Sequence, residues 1–140
     1  MSDGLELRYS DEKGRGVFST VPIPNRAFIV EYSGTLISKR EAEERETKYN
    51  SDPKKYGSYM YYFQFEGTKY CIDATEEDGS YGRLINHAVN GNVESKVVKI
   101  DEKPVIIFLA KKDIPAGVEL CYDYGERSKS IVNANPWLSK

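Results

Sequence analysis

Apolar and polar positions follow short alternating runs along most of the chain. Leu5 to Tyr9 alternates apolar and charged side chains, and Phe28 to Tyr32, Tyr59 to Phe65 and Lys69 to Ile72 are aromatic and β-branched. Such runs predict strands. Glu66-Gly67 is a turn signal that joins the last two as a hairpin. Val93 to Ile100 and Val105 to Leu109 flank Asp101-Glu102-Lys103-Pro104, which predicts a second hairpin. Val105 to Leu109 is apolar throughout and reads as a buried strand. One segment has a helical pattern instead. Ser38-Lys39-Arg40-Glu41 forms a capping box, Glu41 with Arg45 and Glu44 with Lys48 are favourable pairs four apart, and Asp52-Pro53 stops the helix. A second, short helix is expected after Glu126. With no internal repeat, low-complexity tract or linker, the pattern predicts a single mostly β domain with one inserted helix.

Composition narrows the class. A chain of 140 residues suffices for one domain with its own core, and 39% hydrophobic residues mark it as globular. No apolar run approaches a membrane span, and no secretory signal is visible from Met1 onward. Cys71 and Cys121 form neither a disulfide framework nor a zinc cluster; as buried free thiols they suit the cytosol or nucleus. The formal net charge of -2 is unlike that of a domain that grips nucleic acid by itself. The acids cluster at Glu41, Glu43, Glu44 and Glu46, and again at Asp73, Glu76, Glu77 and Asp78. Such clusters suit a basic peptide partner; a solvated helix face and a solvated loop explain them as well.

Four motifs carry candidate chemistry. Lys13-Gly14-Arg15-Gly16, expected between two strands, allows a tight turn with close approach to a ligand, although a plain hairpin turn has the same composition. Gly82-Arg83-Leu84-Ile85-Asn86-His87 holds the sole histidine. With no second histidine no zinc site is expected, and no Ser-His-Asp or Cys-His order suggests a nucleophile. Asn86-His87 precedes Asn90, Gly91 and Asn92, whose amides suit a polar ligand. In Leu120 to Ser128, LCYDYGERS, Tyr122 and Tyr124 lie two apart and share a face if the segment is extended. They fit either a ligand site beside Gly125 or a Tyr-rich strand packed on its neighbour. Trp137, alone in a polar tail, is a core plug or an aromatic lid.

In chain order, GRG, EY-x-G (Glu31, Tyr32, Gly34), RLINH and ELCYDYG resemble the SET-domain protein lysine methyltransferases over nearly the whole chain. YMYYFQF, YCIDAT, DYGERS and NANPWL are further similar to the branch that monomethylates histone H4 lysine 20, the Set8 group. The resemblance implies a fold of several small curved β-sheets with a pseudoknot, in which the YDYG segment passes beside the NH segment. It implies one SET domain over residues 1–140 with a short post-SET-like tail from about residue 126. It implies S-adenosyl-L-methionine as cofactor, S-adenosyl-L-homocysteine as product, and no metal. By resemblance Lys13, Gly14, Arg15, Tyr59, Asn86, His87 and Trp137 line the cofactor, with Trp137 over the adenine. Tyr32, Tyr59, Tyr122 and Tyr124 build the lysine channel and carry catalysis; Glu46 and Asp73, with Tyr32 and Tyr122, face the substrate. The implied partners are the histone H4 tail and nucleosome, met by a monomer in the nucleus, on chromosomes, without sequence-specific nucleic-acid or membrane binding. The long basic extension that precedes the domain in this branch is not in this stretch, so nucleosome engagement by these residues is expected to be partial. Ser58 and Ala88 stand where the branch carries Cys and Ser, and Glu126 where it carries Asp, changes that bear on fine substrate preference. Three other readings stay open: a SET-like module that binds without turnover, a methyltransferase for another lysine, and a purely structural β domain.

The chemistry explains the tyrosines. Lysine, with a pKa of about 10.4, must lose a proton before its nitrogen can be alkylated, at a cost of roughly 4–5 kcal/mol at pH 7. A desolvated channel and a nearby sulfonium both lower that cost, so no strong protein base is required. Orientation remains: Tyr124 is expected to position the amine, Tyr122 to limit the space around it, and Gly125 to let the backbone pass close.

Overall fold

The computed structural model describes residues 4–11, 14–52 and 59–124. Among these residues the strands are β1 (Leu5–Ser10), β2 (Gly14–Ser19), β3 (Phe28–Glu31), β4 (Thr35–Ser38), β5 (Met60–Phe65), β6 (Thr68–Asp73), β7 (Asn86–His87), β8 (Val93–Ile100), β9 (Lys103–Ala110) and β10 (Cys121–Tyr122), with one helix, α1 (Lys39–Asn50), and a 3-10 turn at Gly82–Leu84; the short helix expected after Glu126 lies outside the described residues. They form four small sheets, ordered β1-β2, β3-β9-β8, β4-β6-β5 and β10-β7. This is the mostly β architecture that the alternating runs predicted.

Both hairpins close with two residues. Glu66 and Gly67 (φ 49° and 81°) link Phe65 to Thr68, and Asp101 and Glu102 (φ 51° and 66°) link Ile100 to Lys103. Two successive left-handed residues match the right-handed twist of the flanking strands. The second turn is therefore shorter than its sequence suggested, and Lys103 and Pro104 already belong to β9. Helix α1 starts where the capping box placed it, with Ser38 Oγ accepting from the Glu41 N–H at 3.2 Å. It stops at Asn50, ahead of Asp52. The glycine-rich turn is revised: Gly14, Arg15 and Gly16 lie inside β2, paired with Ser10, Tyr9 and Arg8 of β1.

β7 and β10 pair in parallel, Cys121 opposite Asn86 and Tyr122 opposite His87. Asn92 clamps the same segment from its other side: its Nδ2 donates to the Glu119 carbonyl at 2.9 Å and its Oδ1 accepts from the Cys121 N–H at 3.0 Å. Segment 119–122 is thus held between residues 86–88 and 91–92, the knot-like crossing of the fold. Gly91 permits it, since a Cβ there would stand 2.2 Å from the Cys121 carbonyl oxygen. The Asn92 amide, a candidate for ligand contact, is used here. The core around the crossing contains Tyr32, Ile85, Ile106, Phe108, Leu120 and Tyr122, all 0% exposed. A smaller cluster of Ile37, Ala42, Met60 and Cys71 seats α1 on its sheet.

Candidate active site

Strand β10 is only two residues long, so Tyr124 lies past its end. It is nevertheless held close by a donor on each side. Its backbone N–H donates to His87 Nδ1 at 3.0 Å, and its hydroxyl donates to the Ile85 carbonyl at 2.8 Å. A His87 Nδ1 that accepts leaves the ring proton on Nε2. That Nε2 is buried and has no hydrogen-bond partner among the described residues. The Tyr124 ring packs 5.1 Å from Tyr122 and 5.2 Å from His87. Tyr122 packs 4.7 Å from Phe108, and Phe108 6.1 Å from Tyr32. Tyr32, Tyr122, Tyr124 and His87, drawn from three motifs, thus join one aromatic series. Phe108, its connecting ring, was legible only as part of a buried strand.

Beside this series, Gly14, Gly16, Asn86, Glu119, Arg8 and Phe18 line much of a cleft of about 310 Å³. Gly14 and Asn86 were expected at the cofactor; Glu119 was not singled out. Its carboxylate accepts from Asn86 Nδ2 at 2.8 Å, and the same Nδ2 donates to the Arg15 carbonyl at 3.1 Å. The sequence signal was a lone acid inside the apolar run of VELCY.

Arg15 and Tyr59 meet through a charged relay. Arg15 Nη1 bonds Glu77 at 2.5 Å; Glu77 holds the guanidinium above its ordinary pKa and is itself held below the usual carboxylate range. The other Glu77 oxygen lies 3.7 Å from Arg83 Nη1, an ion pair beyond hydrogen-bond reach. Arg83 is buried and bonds the carbonyls of Ala74 and Thr75 at 2.6 and 3.1 Å. Its guanidinium lies 4.0 Å from the centre of the Tyr59 ring. A cation over a desolvated aromatic face is an attractive contact. The charge in RLINH, next to Leu84 and Ile85, was the available hint for Arg83.

The two acids expected on the substrate side have other neighbours. Asp73, 5% exposed, accepts from Arg45 at 3.0 Å, Tyr49 at 2.7 Å and the Thr75 N–H at 2.9 Å. Burial raises its pKa, but hydrogen bonds from Thr75, Tyr49 and Arg45 outweigh it and hold the carboxyl below its usual range. Unlike the peptide-facing carboxylate expected, Asp73 ties α1 to β6. Glu46 accepts from the Tyr62 hydroxyl, and burial first, then this bond, pushes the phenol pKa up. Among the acids of the second loop, Asp78 accepts from Ser33 and Ser80. Lys13, Trp137, Gly125, Ser58 and Glu126 lie outside the described residues.

The chain belongs to the SET domain family, whose model matches residues 14–125. Within that family it is 49% identical over 138 residues to N-lysine methyltransferase KMT5A-A of Danio rerio, covering 99% of this chain and 40% of that protein. It is 50% identical over 137 residues to Histone-lysine N-methyltransferase Set8 of Drosophila melanogaster, covering 98% of this chain and 20% of that protein. It therefore spans well under half the length of either relative. A crystal structure of CpSET8 from Cryptosporidium is similar at a TM-score of 0.80 and 42% identity, over 86% of this chain and 57% of the other. The family and fold class expected from GRG, RLINH and YDYG are thereby met.

Proposed function

We propose that this chain is an S-adenosyl-L-methionine-dependent histone lysine N-methyltransferase that adds one methyl group to lysine 20 of histone H4. The reading includes the histone H4 tail and nucleosome as partners, action as a monomer in the nucleus on chromosomes, and a tail from about residue 126 that closes the cofactor site. The names of its relatives support the activity, and the setting of the Tyr124 hydroxyl supports the mechanism.

The cleft residues fit the cofactor. Residue 16 has no side chain to fill the space, Asn86 and Glu119 converge on it, and the buried His87 Nε2–H lacks a partner among the described residues. Gly14, Arg15, Tyr59, Asn86 and His87 would hold the cofactor, with Lys13 and Trp137. When bound, S-adenosylmethionine supplies an electrophilic methyl group on a sulfonium.

The rest falls to the protein. Tyr32 and Tyr122 are 0% exposed; with a lysine stem inserted beside them, such rings would strip water from its head group and favour its neutral form. The Tyr124 hydroxyl donates its hydrogen bond to the Ile85 carbonyl, so toward an incoming amine its oxygen is an acceptor. It takes an N–H and thereby turns the nitrogen lone pair away from itself, toward the cleft. Orientation of this kind, rather than proton abstraction, is the main contribution.

The test is mass spectrometry of a histone H4 tail peptide incubated with the chain and S-adenosylmethionine. A single added methyl on lysine 20 is expected. Tyr124→Phe should lower turnover about a hundredfold with thermal unfolding little changed, since lost orientation acts on rate. An unmodified peptide despite saturable cofactor binding would leave a binding module.

A further inference from the structure

β9 is apolar on both of its faces, but the core uses only one. Pro104, Ile106, Phe108 and Ala110 are buried, whereas Val105, Ile107 and Leu109 alternate with them and stay partly exposed. By register the partners of these three share the outer face: Phe28 and Glu31 on β3, and Glu94, Lys96 and Val98 on β8, with Ile100 opposite Lys103 at the far end. None of Val98, Val105, Ile107 and Leu109 packs against either buried cluster, and Phe28 and Ile100 are 61% and 52% exposed. An antiparallel sheet with one face in water normally alternates apolar and polar positions. Here an apolar seam, from Phe28 through Leu109, Ile107 and Val105 to Val98 and Ile100, crosses three strands with no layer over it among the described residues.

Charge indicates what would cover the seam. Glu31 and Lys96 both lie opposite Ile107, one on each neighbouring strand. Both are exposed, and neither has a hydrogen-bond or ion-pair partner among the described residues. Strands lie about 4.8 Å apart, so the two charges flank the seam at a separation of about 10 Å. That is the width of an α-helix with its side chains, about 10–12 Å. Along the strand, Leu109 to Lys103 spans about 20 Å, the length of a helix of about 13 residues. The remaining acid of this face, Glu94, is already paired with Arg26 at 3.6 Å.

We propose that this face docks an amphipathic α-helix of a partner protein. Its apolar stripe lies on the seam, a cation on one flank meets Glu31, and an anion on the other flank meets Lys96. The face is across the sheet from Phe108 and Tyr122, so the proposal stands apart from the reading of the cleft.

The probes are three synthetic helical peptides of about 14 residues with leucines along one stripe. One carries Lys on one flank and Glu on the other, one carries Lys on both flanks, and one carries Glu on both. Fluorescence anisotropy against the 140-residue chain measures their binding. The mixed peptide should bind about fivefold tighter than either of the others, because it can lie with both flanks matched while they each leave one pair of like charges. Lys96→Glu puts acids on both flanks and should pass the preference to the Lys peptide. Glu31→Lys should pass it to the Glu peptide. Both changes are on exposed side chains and leave the seam intact, so they test the proposal even if a seam variant does not fold. Ile107→Ser should weaken all three peptides about tenfold. An unchanged order of the three peptides in both charge variants, or no saturable binding of the mixed peptide by the wild type, overturns the proposal. So does a wild-type dimer in sedimentation that Ile107→Ser disperses, since the face would then serve a second copy of this chain.

Discussion

Tyr122 and Tyr124 are two residues apart and do different things. The Tyr124 hydroxyl donates a hydrogen bond to the Ile85 carbonyl and the residue is only partly buried, whereas Tyr122 is 0% exposed, between Phe108 and Tyr124. A second methylation requires monomethyl-lysine to rotate so that its first methyl occupies space beside the nitrogen. Removing the Tyr122 hydroxyl as Tyr122→Phe frees roughly the volume of a water, about 30 Å³. On the proposed function it would also remove a hydrogen bond toward the unmethylated amine, worth about 1 kcal/mol. The ring contacts stay, so the variant should fold, methylate and accumulate dimethyl-lysine. Intact-mass analysis over time reads this directly; only monomethyl product at long times with excess cofactor would rule Tyr122 out as the gate.

At the scale of elements, α1 illustrates how a polar helix is kept in place. Only Ala42 of its residues is buried, so apolar packing contributes little. Asp73 on β6 holds Arg45 and Tyr49 of the helix instead. Asp73→Asn removes the charge from these bonds. Charge-assisted bonds contribute about 1.5–3 kcal/mol each; with Arg45 about a third exposed and screened, a total loss of about 1–2 kcal/mol is expected. The carboxyl is held below its unfolded value of about 3.9. A depressed folded pKa gives stability that is complete above the unfolded pKa and lost as pH falls through the folded one. Thermal unfolding of the wild type should therefore weaken below about pH 4, and Asp73→Asn should show a shallower loss over the same range. Identical pH profiles would mean the anchor contributes nothing.

For the molecule as a whole, charge is the property that reaches a partner first. The net charge is -2, and Glu76, Glu77 and Asp78 lie on one loop whose neighbour Arg83 is buried. If a basic peptide is steered to this loop, its KM should rise as salt goes from about 0.01 M to about 0.15 M, over which the Debye length shrinks from about 30 to about 8 Å. A KM that does not move would place the peptide elsewhere.

Much of this was already legible in the sequence. Hairpin turns, the helix cap and the buried β9 are fixed by local chemistry: φ preferences, one side-chain bond to a backbone amide, and strand periodicity act within a few residues. The tyrosines and Asn86-His87 were visible because their motifs are contiguous. What local pattern does not carry is which contiguous pieces meet. Gly14 to Gly16 looked like a turn and lies in β2, because pairing with β1 overrides a glycine's preference for bends. Asp73 looked like a surface acid and is buried, because its partners on α1 stand 24 and 28 positions away. Glu119 stood out only as a lone acid in an apolar run; its contact with Asn86, 33 positions earlier, exists only once β10 has passed alongside β7. The sequence by itself determined the strands, the helix and the chemical kinds of residue available. The tertiary crossing decided which carboxylates are anchors and which line a cleft, because burial and hydrogen-bond partners come from chain segments that periodicity cannot relate.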